Sequence, residues 1–288
     1  MRFEELRADL LEWYRPRRHA YAWRRGRRDP YRTLVSEVML QQTQAARVEP
    51  VFRSFLDRFP NVRTLAAATR ADVLRAWGCL GYNRRAVALH DAARAIVRDH
   101  GGRVPRDPEA LRTLPGVGPY TAAAVASIGF GDPVAALDTN VRRVVARVVL
   151  GGEPASVSTS DVAGAAARWL DPSAPAAWHQ AVMDLGRIVC RPEPRCEECP
   201  LASACRARRH GGRPVRSRGR GQGRFEGSSR QARGAIVRAL RARTSLEPAA
   251  IAAATGIGRR RVATALDGLL RDGLVERTRT GRIRLPIR

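Results

Sequence analysis

The chain has 288 residues, and its 52 basic residues, all arginine, outnumber 27 acidic ones to leave a net charge of +25. A GC-rich genome explains arginine in place of lysine, but the excess of positive charge predicts a polyanionic partner such as nucleic acid. No apolar run reaches the length of a transmembrane helix, and the first ten residues are too charged for a signal peptide. We therefore expect a soluble, cytoplasmic, nucleoid-associated protein.

The predicted elements of residues 1–209 are helices. Aspartate followed by proline, at Asp107 and Pro108, predicts a helix start with an N-cap and proline at the first helical position. Alternating strand patterns are absent before residue 270, so we expect an all-α main domain. Apolar residues recur at three- and four-residue steps in FEELRADLLEWY (3–14), RADVLRAWGCL (70–80), RRAVALHDAARAIVRDH (84–100) and DPEALRTL (107–114).

The C-terminal part has a different composition. Residues 210–229 are rich in arginine and glycine and predict a linker. Within residues 230–288, three short helical patterns precede a hairpin that turns at Thr280–Gly281, which predicts a winged-helix-like domain. Its third helix begins at Arg259, Arg260 and Arg261, so duplex binding, a protein contact and a packing cap are all open.

One turn between two predicted helices, in LPGVGPYTA (114–122), is nearly bare of side chains. Gly116 and Gly118 permit positive φ and the close approach of another backbone. The next helix begins with free N–H groups, which together can hold a phosphate. An ordinary helix–helix connection is the alternative for a bare Gly-x-Gly.

Five segments together resemble the MutY-type adenine DNA glycosylases of the helix-hairpin-helix (HhH-GPD) superfamily, which includes endonuclease III. The resemblance covers residues 8–209. It implies an all-α helix-hairpin-helix fold, a monomer acting on double-stranded DNA, and excision of adenine mispaired with guanine or 8-oxoguanine in base excision repair. Two alternatives are a uracil or thymine mismatch glycosylase on this fold and a catalytically weak DNA-binding protein. The segments are LPGVGPYTA, LDTNVRRV, SEVMLQQTQ, WGCLGYNRRA and HQAVMDLGRIVC.

Two carboxylates are the candidate catalytic groups. Breaking a glycosidic bond requires an acid for the leaving group and an anion for the cationic sugar. Glu37 lies in LVSEVML, where apolar neighbours raise a carboxyl pKa. The resemblance implies that Glu37 protonates adenine, that Asp138 stabilises the sugar cation or traps it covalently, and that Asn140 orients them. Taken alone, either carboxylate could merely cap a helix.

Position 120 predicts the type of reaction. Lyases of the superfamily place a lysine there and form a Schiff base with DNA. This chain has Tyr120 at that position and contains no lysine. We therefore expect a monofunctional glycosylase without lysine-dependent strand cleavage.

The resemblance also implies which residues contact DNA and the extruded base. The backbone grip is Gly116 and Gly118, and the adenine pocket includes Arg24 and Gln180. Core packing is the alternative for Leu80 and Tyr82. The predicted wedge and partner-base contacts are Gln41, Gln42, Leu80 and Tyr82.

Four cysteines lie within sixteen residues, which argues against a scattered disulfide framework. Their spacing, C-x5-C-x2-C-x5-C, suits tetrahedral zinc or an iron–sulfur cluster. The resemblance implies a structural [4Fe–4S] cluster, although the family has six residues in the first gap where this chain has five. Cys79, outside this group, is predicted to be a buried thiol. The four predicted ligands are Cys190, Cys196, Cys199 and Cys205.

The C-terminal domain departs from the family pattern. Adenine glycosylases often end in a Nudix-like domain that recognises 8-oxoguanine. Residues 230–288 are too few for it and have a different pattern. The sequence therefore leaves the preferred opposite base open.

Overall fold

A computed structural model describes residues 2–211 and 223–287. These residues form fifteen α-helices and one two-stranded antiparallel sheet, which confirms the predicted helical class. None of the described helices is long and apolar enough to cross a membrane. Before the linker the helices are α1 (Phe3–Tyr14), α2 (Pro30–Leu40), α3 (Ala45–Arg58), α4 (Val62–Ala67), α5 (Arg70–Ala76), α6 (Arg84–Asp99), α7 (Pro108–Arg112), α8 (Pro119–Ala124), α9 (Thr139–Val145), α10 (Thr159–Trp169), α11 (Pro175–Ile188) and α12 (Arg206–Arg209). After the linker come α13 (Ser229–Arg241), α14 (Pro248–Thr255), α15 (Arg259–Arg271), β1 (Glu276–Arg277) and β2 (Ile283–Arg284).

Side-chain caps start several helices. As predicted, Asp107 caps α7 by accepting hydrogen bonds from the backbone N–H groups of Glu109 and Ala110, and Pro108 occupies the first helical position. Two helices continue into π-helical turns, α8 into Val125–Phe130 and α9 into Ala146–Leu150. Such turns are frequent near functional sites.

The described residues fall into two compact units. The first unit consists of those in 1–37, 106–113 and 117–219. Its core is formed by the apolar faces of α1, α9, α10 and α11, with Trp169 and Trp178 packed edge to face at 5.5 Å between ring centroids. Gly186 of α11 allows α9 to approach closely, because a Cβ there would lie 2.8 Å from the Cβ of Asn140.

The second unit consists of the described residues in 38–105, 114–116 and 220–288. Phe55 contacts Phe59 and Trp77 edge to face in its core, with ring centroids 4.9 and 6.2 Å apart. Helix α13 packs against α5, α14 and α15. The domain boundaries at residues 209 and 230 stay predictions, because the described C-terminal residues belong to the same compact unit as residues 38–105.

The C-terminal elements have the predicted winged-helix order of three helices and a hairpin. In the hairpin Glu276 pairs with Arg284, and Leu246 adds a bridge to Ile283. The turn contains Gly281, whose φ is 78°. Most of the predicted linker, residues 212–222, lies outside the described residues. Its predicted last residue, 229, is instead the first residue of α13.

Candidate active site

Glu37 lies in the last turns of α2 with 7% of its surface exposed. Burial raises its pKa to about 7, and the neighbouring charge of Asp138 acts in the same direction. A hydrogen bond with Tyr120 and the positive charge of Arg24 act in the opposite direction. A large fraction of Glu37 is therefore protonated near neutral pH, as an acid catalyst requires.

Asp138 is the N-cap of α9. Its Oδ1 accepts a hydrogen bond from the backbone N–H of Val141 at 2.6 Å, and its Oδ2 accepts one from Asn140 Nδ2 at 3.0 Å. Burial raises its pKa, and these hydrogen bonds and the Arg143 charge oppose that rise. Asp138 therefore does cap a helix. The same geometry places its hydrogen-bonded carboxylate beside Glu37, so capping and catalysis are compatible.

Tyr120 lies within electrostatic range of both carboxyl groups. Burial first, and then the negative charges of Glu37 and Asp138, raise its pKa well above the ordinary value. Its hydroxyl hydrogen-bonds with Glu37, and its oxygen lies 3.8 Å from the sulfur of Met183. The hydroxyl therefore keeps its proton over the physiological pH range.

Arg24 and Gln180, the predicted pocket residues, each have a buried partner. Arg24 donates to both carboxylate oxygens of Asp184, at 2.6 and 3.2 Å. The Tyr14 hydroxyl donates to Gln180 Oε1 at 2.8 Å. Sequence reasoning missed Tyr14 and Asp184, although Asp184 follows Gln180 by four residues and so shares its helix face.

Asn140 joins Asp138 to a wider network. Its side-chain oxygen accepts a hydrogen bond from Arg143 Nη2 at 2.7 Å. The same guanidinium donates to the backbone carbonyls of Gly186, at 2.8 Å, and Cys190, at 2.7 Å. Arg143 therefore connects the network of Asp138 to the start of the cysteine loop, residues 190–205, and sequence reasoning did not single it out.

A buried histidine holds the segment that leads into Asp138. The backbone N–H of Ala136 donates to His179 Nε2 at 2.6 Å, which leaves the ring proton on Nδ1. That nitrogen lies 2.9 Å from Ser127 Oγ and 3.1 Å from the Pro175 carbonyl oxygen. Burial lowers the pKa of His179 to about 4. The neutral ring therefore accepts a hydrogen bond from Ala136, which lies two residues before Asp138 in the chain.

The four predicted cluster ligands are free thiols, with Cys190 buried and the others half-buried. Burial raises the pKa of Cys199 to about 12, and the charges of the other three cysteines act in the same direction, so each of the three lies within electrostatic range of Cys199. Among residues 2–211 and 223–287, no three His, Cys, Asp or Glu side chains are arranged to hold a metal ion. Four thiols are nevertheless the type of ligand that an iron–sulfur cluster requires.

A buried guanidinium anchors the short first gap of the cysteine loop. Arg147 donates to the backbone carbonyls of Arg191 at 2.6 Å and Pro192 at 3.1 Å. Two hydrogen bonds to Glu153, at 2.8 and 3.0 Å, compensate its charge. The course of the five-residue gap is therefore fixed by hydrogen bonds to Arg147.

The predicted wedge residues lie in the second unit and differ in exposure. Gln42 and Tyr82 are exposed and are the two non-glycine residues of the described chain with positive φ, at 54° and 44°. Leu80 is 2% exposed, which favours the packing alternative for its side chain. The prediction that Cys79 is buried is wrong, because its neighbour Leu80 takes the core position and leaves the thiol exposed.

The helix–helix turn uses its two glycines differently. Gly116 has a φ of 75°, and a Cβ there would lie 2.7 Å from the Cβ of Ala88. Gly118 is extended, with φ −88° and ψ 178°, and is the N-cap of α8. The expected positive φ therefore holds for Gly116 and is wrong for Gly118. Both residues are exposed.

Known proteins match this chain in sequence and in fold. A profile described as HhH-GPD superfamily base excision DNA repair protein matches residues 35–164. The adenine DNA glycosylase of Mycolicibacterium smegmatis is 43% identical over 279 residues, 96% of this chain and 94% of that protein. The human adenine DNA glycosylase is 42% identical over 213 residues, 70% of this chain and 39% of the human protein.

Solved structures agree on the fold. A thermostable thymine-DNA glycosylase superposes with a TM-score of 0.67 at 29% identity, covering 72% of this chain and 97% of that one. A non-covalent endonuclease III–DNA complex superposes with a TM-score of 0.60 at 25% identity, covering 73% of this chain and 98% of that one. The fold is that of the HhH-GPD superfamily. Within that superfamily, the chain belongs to the adenine DNA glycosylase family.

Proposed function

We propose that this protein is a monofunctional adenine DNA glycosylase that removes adenine mispaired with guanine or 8-oxoguanine during base excision repair. The observation that carries the proposal is the pair Glu37, which is buried, and Asp138, which is half-buried, two carboxyl groups in different hydrogen-bonding environments. Environments that separate two carboxyl pKa values assign one group as the acid and the other as the anion. The name shared by the relatives supports adenine as the base.

Glu37 is the proton donor in this mechanism. With a pKa of about 7, it holds a proton at neutral pH and releases it readily to a basic nitrogen. Protonation turns adenine into a better leaving group, so the glycosidic bond breaks heterolytically toward an oxocarbenium-like sugar. The hydroxyl of Tyr120 and the guanidinium of Arg24 stabilise the carboxylate that remains.

Asp138 is the anion that faces the sugar cation. Hydrogen bonds from Val141 and Asn140 oppose the effect of burial on its pKa and so favour its charged form. A negative charge already fixed in a water-poor site needs no reorganisation when positive charge develops. Water then adds to the anomeric carbon of the sugar cation, and the proton that it loses restores the protonated form of Glu37.

We further propose that the DNA backbone stays intact after base removal. A lysine-dependent lyase needs an amine at the position of Tyr120, and the chain contains no lysine. The Tyr120→Lys variant supplies that amine, so borohydride should trap a covalent complex with DNA. Trapping by the wild type would overturn the monofunctional assignment.

We propose that Cys190, Cys196, Cys199 and Cys205 hold a [4Fe–4S] cluster. When bound, it would cross-link the loop that follows α11 and so order a basic segment for contact with DNA. The purified protein should be brown, with broad visible absorption and about four irons per chain. A colourless protein with stoichiometric zinc would overturn this assignment.

A thymine or uracil mismatch glycosylase is the second candidate, favoured by the thymine-DNA glycosylase among the structural neighbours. The deciding experiment is a panel of duplexes with A, T or U opposite guanine or 8-oxoguanine, scored for abasic sites after alkali. Adenine release from both A-containing mispairs is expected. Release of T or U without adenine would overturn the proposal.

A further inference from the structure

The turn Gly78–Asn83 presents an exposed aromatic ring on an unusual backbone. Tyr82 is 42% exposed and has a φ of 44°, a region that residues with side chains rarely adopt. Gly78 and Gly81 have φ values of 56° and 73°. Residues held in such conformations persist only where their surroundings determine them, and they concentrate at functional sites.

Contacts from within residues 38–105 hold one side of this turn. Trp77 Nε1 donates to the Gly81 carbonyl at 3.0 Å. The guanidinium of Arg85 lies 5.2 Å from the ring centroid of Tyr82 and 5.5 Å from that of Trp77.

Arg85 also ties the turn to the neighbourhood of Gln42, the other non-glycine residue with positive φ in the described chain. It donates to the carbonyl of Met39 at 2.9 Å and to Thr43 Oγ1 at 2.9 Å. One guanidinium thus lies between the two exposed residues whose backbone is strained.

The C-terminal winged helix holds the turn from another side. Arg241, the last residue of α13, donates through Nη1 to the Gly78 carbonyl and through Nη2 to Asn83 Oδ1 at 2.9 Å. This guanidinium contacts both ends of the turn. Burial lowers the pKa of Arg241 to about 10, consistent with a guanidinium packed into the protein rather than extended into solvent.

A second contact fixes the helix that leads into the turn. The backbone N–H of Ala71, at the start of α5, donates to the carbonyl of Pro286 at 2.7 Å. Helix α13 packs against α5 as well. The beginning of α5 and both ends of the turn are therefore all held by residues that follow the linker.

We propose that the winged helix positions the turn Gly78–Asn83 for contact with DNA and that Arg241 is its positioning residue. The proposal rests on the proposed glycosylase function. Insertion of a side chain into a duplex pushes back on the turn that carries it, and a turn with positive φ relaxes unless it is held. The winged helix supplies that hold through Arg241, so loss of the Arg241 contacts alone would leave DNA affinity intact and impair base extrusion.

The test compares Arg241→Met with Arg243→Met in the full-length protein. Both variants remove one positive charge from the same end of α13, but Arg243 is exposed and its side chain forms no hydrogen bond with the described residues of the turn. Modification of the exposed Cys79 by N-ethylmaleimide, measured on the tryptic peptide of residues 76–84, reports the order of the turn. The fluorescence of 2-aminopurine beside the target adenine reports extrusion.

For Arg241→Met we expect faster modification of Cys79 and a smaller 2-aminopurine signal at full saturation. Single-turnover excision should be slower by roughly tenfold to a hundredfold, since small misplacements of a positioning group have effects of that size. Mismatch affinity and its salt dependence should match those of wild type. Arg243→Met should match wild type throughout. If Arg241→Met does not fold, Asn83→Ala removes one of the same hydrogen bonds from the turn side.

Three outcomes are distinguishable. Arg241→Met that matches wild type in Cys79 modification and excision overturns the positioning role. Weaker affinity with a flatter salt dependence, and an unchanged 2-aminopurine signal per complex, would overturn it in favour of direct duplex binding. A wild type that releases no adenine refutes the proposed function instead, while the Cys79 comparison still reports on the turn.

Discussion

In the first unit Glu37 is buried, Tyr120 and Asp138 are half-buried, and all three are hydrogen-bonded. In the second unit Gln42 and Tyr82 are exposed on backbone with positive φ. In the first region, removal of water shifts pKa values, which is what acid catalysis requires. In the second, exposure keeps side chains available for a partner, and neighbouring guanidinium groups hold the backbone. The first region thus uses desolvation of its carboxyl groups for chemistry, and the second uses a strained backbone, held by its neighbours, for contact with a partner. The two regions should respond differently to mutation.

The largest expected effect comes from Asp138→Asn. The amide preserves size and helix capping but removes the negative charge beside the sugar cation, so excision should slow by about a hundredfold to a thousandfold. Mismatch affinity should be retained. Single-turnover excision measures the rate, and equilibrium binding measures the affinity. The control is Asp132→Asn, which breaks a surface ion pair with Arg106. Loss of affinity without loss of rate would assign Asp138 to binding.

Glu37→Gln should slow excision by at least about a hundredfold, because the proton donor is removed. In the wild type, excision should fall as the pH rises through about 7, where Glu37 loses its proton. A wild-type rate that is flat from neutral to alkaline pH would contradict this role. Glu49→Gln, in an ion pair with Arg53 on α3, is the control.

Glu37→Gln also tests the burial of this carboxyl group through the pH dependence of folding stability. Burial raises the folded-state pKa of Glu37 above its unfolded value of 4.5 to about 7, so its contribution to folding is fully present below pH 4.5. That contribution is lost as the pH rises through about 7. Glu37→Gln should therefore gain thermal stability relative to wild type at pH 8, but not at pH 4.5. A constant difference across this range would refute the buried, titrating carboxyl.

His179→Leu should have an intermediate effect. The substitution leaves the N–H of Ala136 buried and unpaired, which destabilises the fold by about 1–3 kcal/mol. It also frees the segment before Asp138, so excision should slow roughly tenfold. His179→Gln restores an acceptor at the same place and should recover most of the rate. A loss of stability with an unchanged rate per folded molecule would make His179 a core residue only.

The smallest effect on chemistry is expected from replacing Arg259, Arg260 and Arg261 together by serine. These exposed residues begin α15, and removing each arginine that binds a phosphate should flatten the salt dependence of binding by roughly 0.9 in the log–log slope. Excision at saturating enzyme should not change. An unchanged salt slope would show that these arginines do not bind DNA, and Arg238→Ser on α13 provides a charge control.

The sequence alone was sufficient where the signal is local or the motif is long. The helix start at Asp107 follows from two adjacent residues, and the winged-helix order follows from three short periodic patterns and one turn. The family followed from five segments, and the apolar neighbours of Glu37 already predicted a raised pKa.

Only the tertiary structure decided which side chains are buried and which distant groups they meet. Leu80 and Cys79 are adjacent in the chain, yet one is buried and the other exposed, because successive side chains of the 3-10 turn Gly78–Leu80 point about 120° apart. The partner of Arg24 lies 160 residues away, and that of Ala136 lies 43 residues away. Pairing of this kind depends on packing between elements distant in sequence, and no local pattern encodes it.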